Sequence, residues 1–340
     1  MHGLVVPVLI GVRQAAMLAR RLARLLRLLG VAFWFTTSLA QAQGFAFVAL
    51  GDLPYGSPQQ AYPSYRRLID RINEAAPAFS IHVGDIKSGG TRCSDEEFMA
   101  QRSHFDRFVA AVVYTPGDNE WTDCHRRSNG GYEPQERLQR LRQLFFKPGG
   151  SMGQRPMALL SQADSMPEHA GFPENQRWVH EGVLFVSVHV VGSNNNLQPQ
   201  VPGAMAEHAQ REAANVAWIR AAFEHAGRIG AQALVVAMHA NPLLGRGMFE
   251  DFPKSSGFRQ SIGETLLPLA AASPVPVLLI HGDTHWQRMD QPFTLRGEPV
   301  RQLTRLEVPG GSDVRAWQVH VDLGQTQPFS ARLIEPAAVK

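Results

Sequence analysis

Apolar residues along the chain gather in five short, nearly unbroken runs: Phe45–Leu50, Phe79–Val83, Val109–Thr115, Leu234–Met238 and Val275–Ile280. Unbroken runs of this length, rich in Val, Ile, Leu and Phe, predict strands buried on both faces. Helical periods lie between them. Tyr65, Leu68, Ile69 and Ile72 predict a helix over Tyr62–Ala76, and Asp95–Ala110 opens on Ser94 as N-cap with Glu97 three residues on, a capping-box arrangement. Leu138, Leu141, Leu144 and Phe145 mark a helix over Pro134–Phe146; Val216, Ile219 and Phe223 mark a long one over Met205–Ala226. Ser256–Ala272 also has a helical period, weakened by Gly257 and Gly263. Strands are expected at Trp178–His180 and Val183–Val191, and alternation after Trp286 predicts antiparallel strands over Gln302–Val308 and Arg315–Leu323. Gly149–Pro173 reads as a long surface loop. Trp218 and Trp317 fall on apolar faces and are expected in the core. The order β-α-β-α-β, an insertion, β-α-β-α-β and further strands predicts an α/β fold with a mixed sheet or two stacked sheets.

The N-terminus departs from this pattern. Residues 1–42 hold five arginines and no acidic residue; a basic stretch, Arg20–Arg27, precedes the apolar run Leu28–Leu39 and the small-x-small triplet Ala40-Gln41-Ala42. That is the layout of a secretory signal peptide, with an apolar stretch too short for an ordinary membrane span. Met17 offers an alternative start that gives a signal of ordinary length, and an uncleaved anchor is the competing reading. The expected mature part, 43–340, is a single domain in the periplasm or outside the cell, with no stable membrane span. The whole chain carries 33 Lys+Arg and 30 Asp+Glu, so loss of the five arginines turns a net +3 into −2. No basic run interleaved with aromatics occurs after residue 43, which argues against a nucleic-acid-binding patch. In an oxidising compartment Cys93 and Cys124 are expected to form a disulfide, two free thiols being the alternative.

The chemistry lies in the residues at the carboxyl ends of the five runs. The runs lead into Gly51-Asp52, Gly84-Asp85, Gly117-Asp118-Asn119-Glu120, His239-Ala240-Asn241, and His281-Gly282-Asp283-Thr284-His285. Ligand crevices of open α/β sheets lie beyond the carboxyl ends of the strands. Parallel strands would therefore collect four aspartates and two or three histidines at one rim, a set that demands a cation. Carboxylate and imidazole donors suit Mn, Fe, Zn or Mg.

The order Gly-Asp, Gly-Asp, Gly-Asp-Asn-Glu, a lone His after a strand, and Gly-Asp-Thr-His resembles that of the calcineurin-like metallophosphoesterases, which include the purple acid phosphatases. The resemblance spans Asp52 to His285 and implies a two-sheet β-sandwich flanked by helices, binding two metal ions. It implies that Asp52 and His285 hold the first metal, that Asp85 bridges both, and that Asp118, His239 and Asp283 hold the second. Departures are specific. Pro54 stands where some members have His, and Ser88 where purple acid phosphatases have Tyr, with Tyr55 as a substitute from the first loop. Asp118 stands for the usual Asn, Asn119 for the motif His, and Asp283 for the first His of the last motif. Carboxylates at Asp118 and Asp283 keep metal-binding ability and make the second site harder, favouring Mn, Mg or Fe over Zn. Asn119 can donate a hydrogen bond but cannot deliver a proton.

The resemblance implies a phosphoester hydrolase in which two metals share a hydroxide that attacks a small phosphorylated substrate. Asn119 then belongs to the catalytic set. A proton for the leaving group is expected from His125 or Lys87, although each also reads as an ordinary surface residue. Glu120 is expected to orient a ligand from behind, and Tyr55, Lys87 and His281 are further candidates for support or substrate contact. His189 and the run Asn194-Asn195-Asn196 are candidates to line the cleft. The missing motif His leaves a second reading, a non-catalytic periplasmic protein binding metal or a phosphate ligand on the same scaffold. A third is an interaction module with a structural cation.

Overall fold

A computed structural model describes residues 44–244 and 252–337; the expected signal segment lies outside the described residues. Three of the five apolar runs form β1 (Phe45–Leu50), β2 (Phe79–His82) and β3 (Ala111–Tyr114), paired in parallel. An antiparallel meander, β4 (Leu160–Ser161), β5 (Gln176–His180) and β6 (Val183–Ser187), leads to the other two runs, β7 (Ala233–Ala237) and β8 (Val277–His281), parallel to β6. The chain continues through β9 (Arg288–Asp290), a hairpin of β10 (Thr294–Leu295) and β11 (Glu298–Pro299), β12 (Leu303–Glu307), β13 (Ala316–Val321) and β14 (Phe329–Ile334). The result is a five-stranded sheet, order β14-β13-β1-β2-β3, and a seven-stranded sheet, order β4-β5-β6-β7-β8-β12-β9.

The sheets pack face to face. Phe47, Ala49, Ile81 and Val113 from one meet Phe185, Val235, Leu278 and Ile280 from the other in one buried cluster. The alternate residues Val48, Leu50, Val112 and Tyr114 face outwards onto α1 (Pro58–Ala75), α2 (Asp95–Phe105) and α3 (Pro134–Phe145). Leu234, Val236, Val277 and Leu279 likewise meet α4 (Ala204–Ile229), a π-helical stretch over Arg259–Leu266 and α5 (Leu267–Ala271). Both faces of each central strand are thus covered, which is why the runs are unbroken. The expected two-sheet sandwich flanked by helices is the observed fold.

The five runs divide between the two stacked sheets, three and two. Several local expectations need correction. β12 and β13 are not antiparallel partners: β12 runs parallel to β8, while β13 pairs antiparallel with β1 in the other sheet. Polar positions on β12 do not mark a wet face, because buried Arg305 and Glu307 are ion-paired to Asp290 and Arg288 of β9. The α2 helix ends at Phe105, five residues early, because Asn73 of α1 accepts the Val109 amide through its side chain (2.8 Å). Its capping box is half made. Ser94 accepts from the Glu97 amide (3.3 Å), but the Glu97 carboxylate takes the Tyr62 hydroxyl instead (3.0 Å). Part of Gly149–Pro173 packs instead of looping out: Met152 bridges Val112 at the β3 edge.

Candidate metal centre

The ligand-bearing turns are built on unusual backbone. Asp52, Asp85, Asp283 and His285 all have left-handed conformations, with φ of 54°, 54°, 76° and 62°. L-residues hold such angles only when the surroundings enforce them, at about 1–3 kcal/mol each. Two glycines make the crowding possible. A Cβ on Gly117 would sit 2.1 Å from Asp85 Oδ1, and one on Gly282 would sit 2.2 Å from Asp52 Oδ2. Backbone packed against carboxylates in this way fixes where their oxygens point.

The turns bring the sequence candidates together from both sheets. Ligand atoms of Asp52, Asp85 and His239 all lie within 4.8 Å of one another, and so do those of Asp118, His239 and Asp283. His239 is common to both groups: its Nε2 stands 3.0 Å from Asp118 Oδ1 and 3.4 Å from Asp85 Oδ1. Its Nδ1 donates to the Val83 carbonyl oxygen (2.8 Å), which fixes the tautomer and leaves Nε2 facing the carboxylates. Half-buried His285 joins through Asp52, Nε2 to Oδ1 3.3 Å. The Asp283 amide donates to both Asp52 oxygens (3.2 and 3.3 Å), and Asp283 Oδ2 accepts the Asn241 amide (2.9 Å).

The electrostatics follow from the crowding of buried carboxylates. Burial raises the Asp85 carboxyl well above the usual carboxylate range, and Asp118, Glu120 and Asp52 add to it while His239 opposes. Burial and the Asp118 charge raise Asp283 to about 7. Burial lowers the His239 imidazole, but Asp85, Asp118 and Asp52 outweigh it and hold the group well above its ordinary value. Buried carboxylates this close need protons or a cation. Oxygen and imidazole donors fit a hard or borderline divalent ion.

Glu120 is buried and clamps the turns: Oε1 accepts from the Asp85 amide (3.0 Å), the Gly117 amide (2.7 Å) and the Tyr114 hydroxyl (2.8 Å). Tyr55 lies on the site from the first loop. Its hydroxyl donates to Asp85 Oδ2 (2.5 Å) and accepts from Asn119 Nδ2 (2.8 Å), and its ring stands edge-on to His285 at 5.3 Å. Burial, then the Asp85 charge, raises that phenol well above its ordinary value. Asn119 donates to Asp85 from both its backbone amide (3.0 Å) and its side chain. The disulfide Cys93–Cys124 is formed, and both sulfurs lie against the Asn119 carbonyl oxygen (3.5 and 3.7 Å).

Other candidates turn to partners outside the ligand set. Lys87 is fully buried, so the surface alternative fails; Nζ donates to the Ser88 carbonyl (3.1 Å), and burial lowers its pKa against the pull of Glu120 and Asp85. His125 turns Nδ1 to the Thr122 carbonyl (2.7 Å) rather than to a carboxylate. His281 is buried, its Nδ1 on the Gly282 carbonyl (2.9 Å) and its Nε2 4.0 Å from Glu307. His189 does not line a cleft: it is buried, its Nδ1 hydrogen-bonded to Glu174 (2.8 Å), and burial lowers its pKa, so the ion pair of Glu174 is with Arg142. Trp218 is in the core, whereas half-buried Trp317 donates to the Glu307 carbonyl (2.9 Å). Sequence reasoning missed Ser193, Asp123 and Arg126, which join Asp118 by hydrogen bonds, and no motif in the sequence marked them.

No family model matches the chain, and no curated protein matches it. A solved structure shares its fold, and others align along most of the chain. A dimetal phosphatase of Danio rerio aligns over 86% of this chain and 99% of its own, at 10% identity and a TM-score of 0.50. The anchor in the inner membrane complex of Plasmodium aligns over 87% and 90%, at 12% identity and 0.45. A purple acid phosphatase from yellow lupin seeds aligns over 87% of this chain and 54% of its own, at 12% identity and 0.42. The fold is the one the motif order implied, that of the calcineurin-like metallophosphoesterases.

Proposed function

We propose that this chain is an exported metal-dependent phosphoester hydrolase that takes a small phosphorylated substrate. One observation carries the reading: Asp52, Asp85, Asp118, His239 and Asp283, from turns on two sheets, bring their ligand atoms together in a fold shared with a dimetal phosphatase. Asp52, Asp85 and His285 would hold one ion, and Asp85, Asp118, His239 and Asp283 the other. When bound, two such ions supply Lewis-acid charge for the phosphoryl group and an activated water near neutral pH.

The chain's own residues set the geometry. Val83 orients His239, Glu120 holds the Asp85 and Gly117 amides, and Asn119 with Tyr55 fixes Asp85 Oδ2. Asn119 is a neutral donor, so the leaving group's proton must come from elsewhere. His125 serves better than Lys87, because its ring is part-exposed and uses only Nδ1 on Thr122 in the contacts above, whereas Lys87 Nζ is enclosed on the Ser88 carbonyl. The formed disulfide supports an oxidising compartment. Asn119 in place of the motif histidine favours the second reading, a non-catalytic metal or phosphate binder.

Metal analysis of the purified protein, followed by hydrolysis of mono- and diesters with Mn, Fe, Zn or Mg added, separates the two. Two bound ions with turnover support the hydrolase. Two bound ions and no turnover of any ester support the binder.

A further inference from the structure

A half-exposed cation, Arg126, stands two hydrogen bonds from Asp118. Its Nη2 donates to Ser193 Oγ (3.2 Å), and Ser193 Oγ lies 3.0 Å from Asp118 Oδ2. Its Nη1 is paired with buried Asp123 Oδ2 (2.6 Å), whose Oδ1 is 2.8 Å from the same Ser193 Oγ. Two anchors therefore hold the guanidinium, and the side chain as a whole is 47% exposed.

Its backstop is built at a conformational cost. Ser193, Asn194, Asn195 and Asn196 are consecutive left-handed residues, with φ of 49°, 55°, 52° and 60°, and none is glycine. L-residues avoid such runs, so the surroundings must impose this one. They do: the Asn195 side chain accepts the Val191 amide (3.2 Å) and donates to the Gly257 carbonyl (2.9 Å) and to Glu212 (3.1 Å), and Asn194 Oδ1 accepts the Gly257 amide (2.8 Å). Gly192 presses the turn onto Asp118, since a Cβ there would sit 2.4 Å from Asp118 Oδ1. On the other side Cys124, two residues before Arg126, is tied down by the disulfide.

Charge gives this corner a purpose. The rim carries Asp52, Asp85, Asp118 and Asp283, and the residue beside Asp118 is neutral Asn119, whose amide is engaged by Asp85 and Tyr55. Beside the charge that bound ions would supply, a dianionic group entering there gains from a cation of the protein. A guanidinium is suited to the task, being always charged and able to bind phosphoryl oxygens through several N–H groups. We propose that Arg126, held by Ser193 and Asp123, binds a non-bridging phosphoryl oxygen of the substrate on the Asp118 side of the site and so favours phosphomonoester dianions over diesters. This rests on the hydrolase reading above.

The test uses full-length protein loaded with Mn, inorganic phosphate as the calorimetric probe, and p-nitrophenyl phosphate against bis(p-nitrophenyl) phosphate as substrates. Arg126→Gln is measured alone and with Asp123→Asn, so that a stranded buried carboxylate does not confuse the result; Arg126→Lys keeps the charge. Phosphate should bind about tenfold more weakly to both Gln variants, and the monoester KM should rise by a similar factor. The diester KM should move much less, Arg126→Lys should recover part of the loss, and both Mn ions should stay bound. Wild type that hydrolyses ester beside a Gln variant that binds phosphate equally well overturns the subsite and leaves the hydrolase reading standing. Mn-loaded wild type that neither binds phosphate nor hydrolyses either ester overturns both.

Discussion

His239 and Val83 join the two sheets at the site. The imidazole, carried after β7, donates Nδ1–H to the Val83 carbonyl oxygen after β2 at 2.8 Å. One hydrogen bond therefore fixes the tautomer and the ring orientation, and it ties the turn that carries His239 to the sheet that carries three of the four aspartates. Removing the ring should act twice. His239→Ala should weaken metal binding by more than about 100-fold, the upper end for residues that merely support a ligand. Without metal it should also destabilise the fold by about 3 kcal/mol, because Asp85 and Asp118 lose their positive partner in a buried place. Chemical denaturation with chelator present reads the second effect apart from the first.

Asp85→Asn should separate stability from function in the opposite sense. Asp85 is crowded by Asp118, Glu120 and Asp52, and burial already opposes its charge. Neutralising it should leave the metal-free protein at least as stable as wild type. Metal-dependent ester hydrolysis should fall more than about 100-fold. Full activity in this variant would refute the bridging role given to Asp85.

Much of the frame was legible because burial on both faces leaves a plain signature. The five apolar runs became β1, β2, β3, β7 and β8, and each leads into a candidate ligand. Their division between two sheets was not legible, since parallel neighbours in either sheet give the same pattern. β12 was misjudged because ion pairs bury Arg305 and Glu307 where alternation suggested water. Lys87 and His189 were misplaced for a related reason: nearness to a motif says nothing about which way a side chain turns. The Ser193–Asn196 turn was invisible, since serine and asparagine suit an ordinary polar loop equally well.

The disulfide should support the site as well as the fold. It closes a sequence separation of 31 residues and ties the segment after Asp85 to the turn after Asp118. Chain-entropy arguments put its worth at about 3–4 kcal/mol. Cys93→Ser with Cys124→Ser should lower stability by that order. It should also release metal at lower chelator concentration, because Asn119, whose carbonyl both sulfurs touch, donates to Asp85. Equal chelator resistance in the double variant would confine the disulfide to global stability.

Acid sensitivity should trace in part to a histidine remote from the metal ligands. His104 of α2 is buried against the edges of Tyr62 and Tyr65, with ring centroids at 4.7 and 5.4 Å, and neither ring nitrogen has a hydrogen-bond partner among the described residues. Burial, with Arg66 and Arg107 nearby, lowers its pKa from the ordinary 6.5 to about 4. The unfolded chain therefore binds this proton near pH 6.5, while the folded protein refuses it until about pH 4. Above pH 6.5 the group is neutral in both states and stability does not depend on it. Between those values each step down in pH favours the unfolded state, to a total of about 3 kcal/mol. His104→Phe keeps the aromatic contacts and removes the proton. Its stability near pH 7.5 should lie within about 1.5 kcal/mol of wild type, as for a swap of similar volume. Its loss between pH 6.5 and 4 should be smaller than that of wild type by about 3 kcal/mol. Denaturant titrations of both proteins at pH 7.5, 5.5 and 4.5, with chelator present throughout so that metal release does not contribute, measure the difference, and parallel pH profiles would show that the proton enters elsewhere.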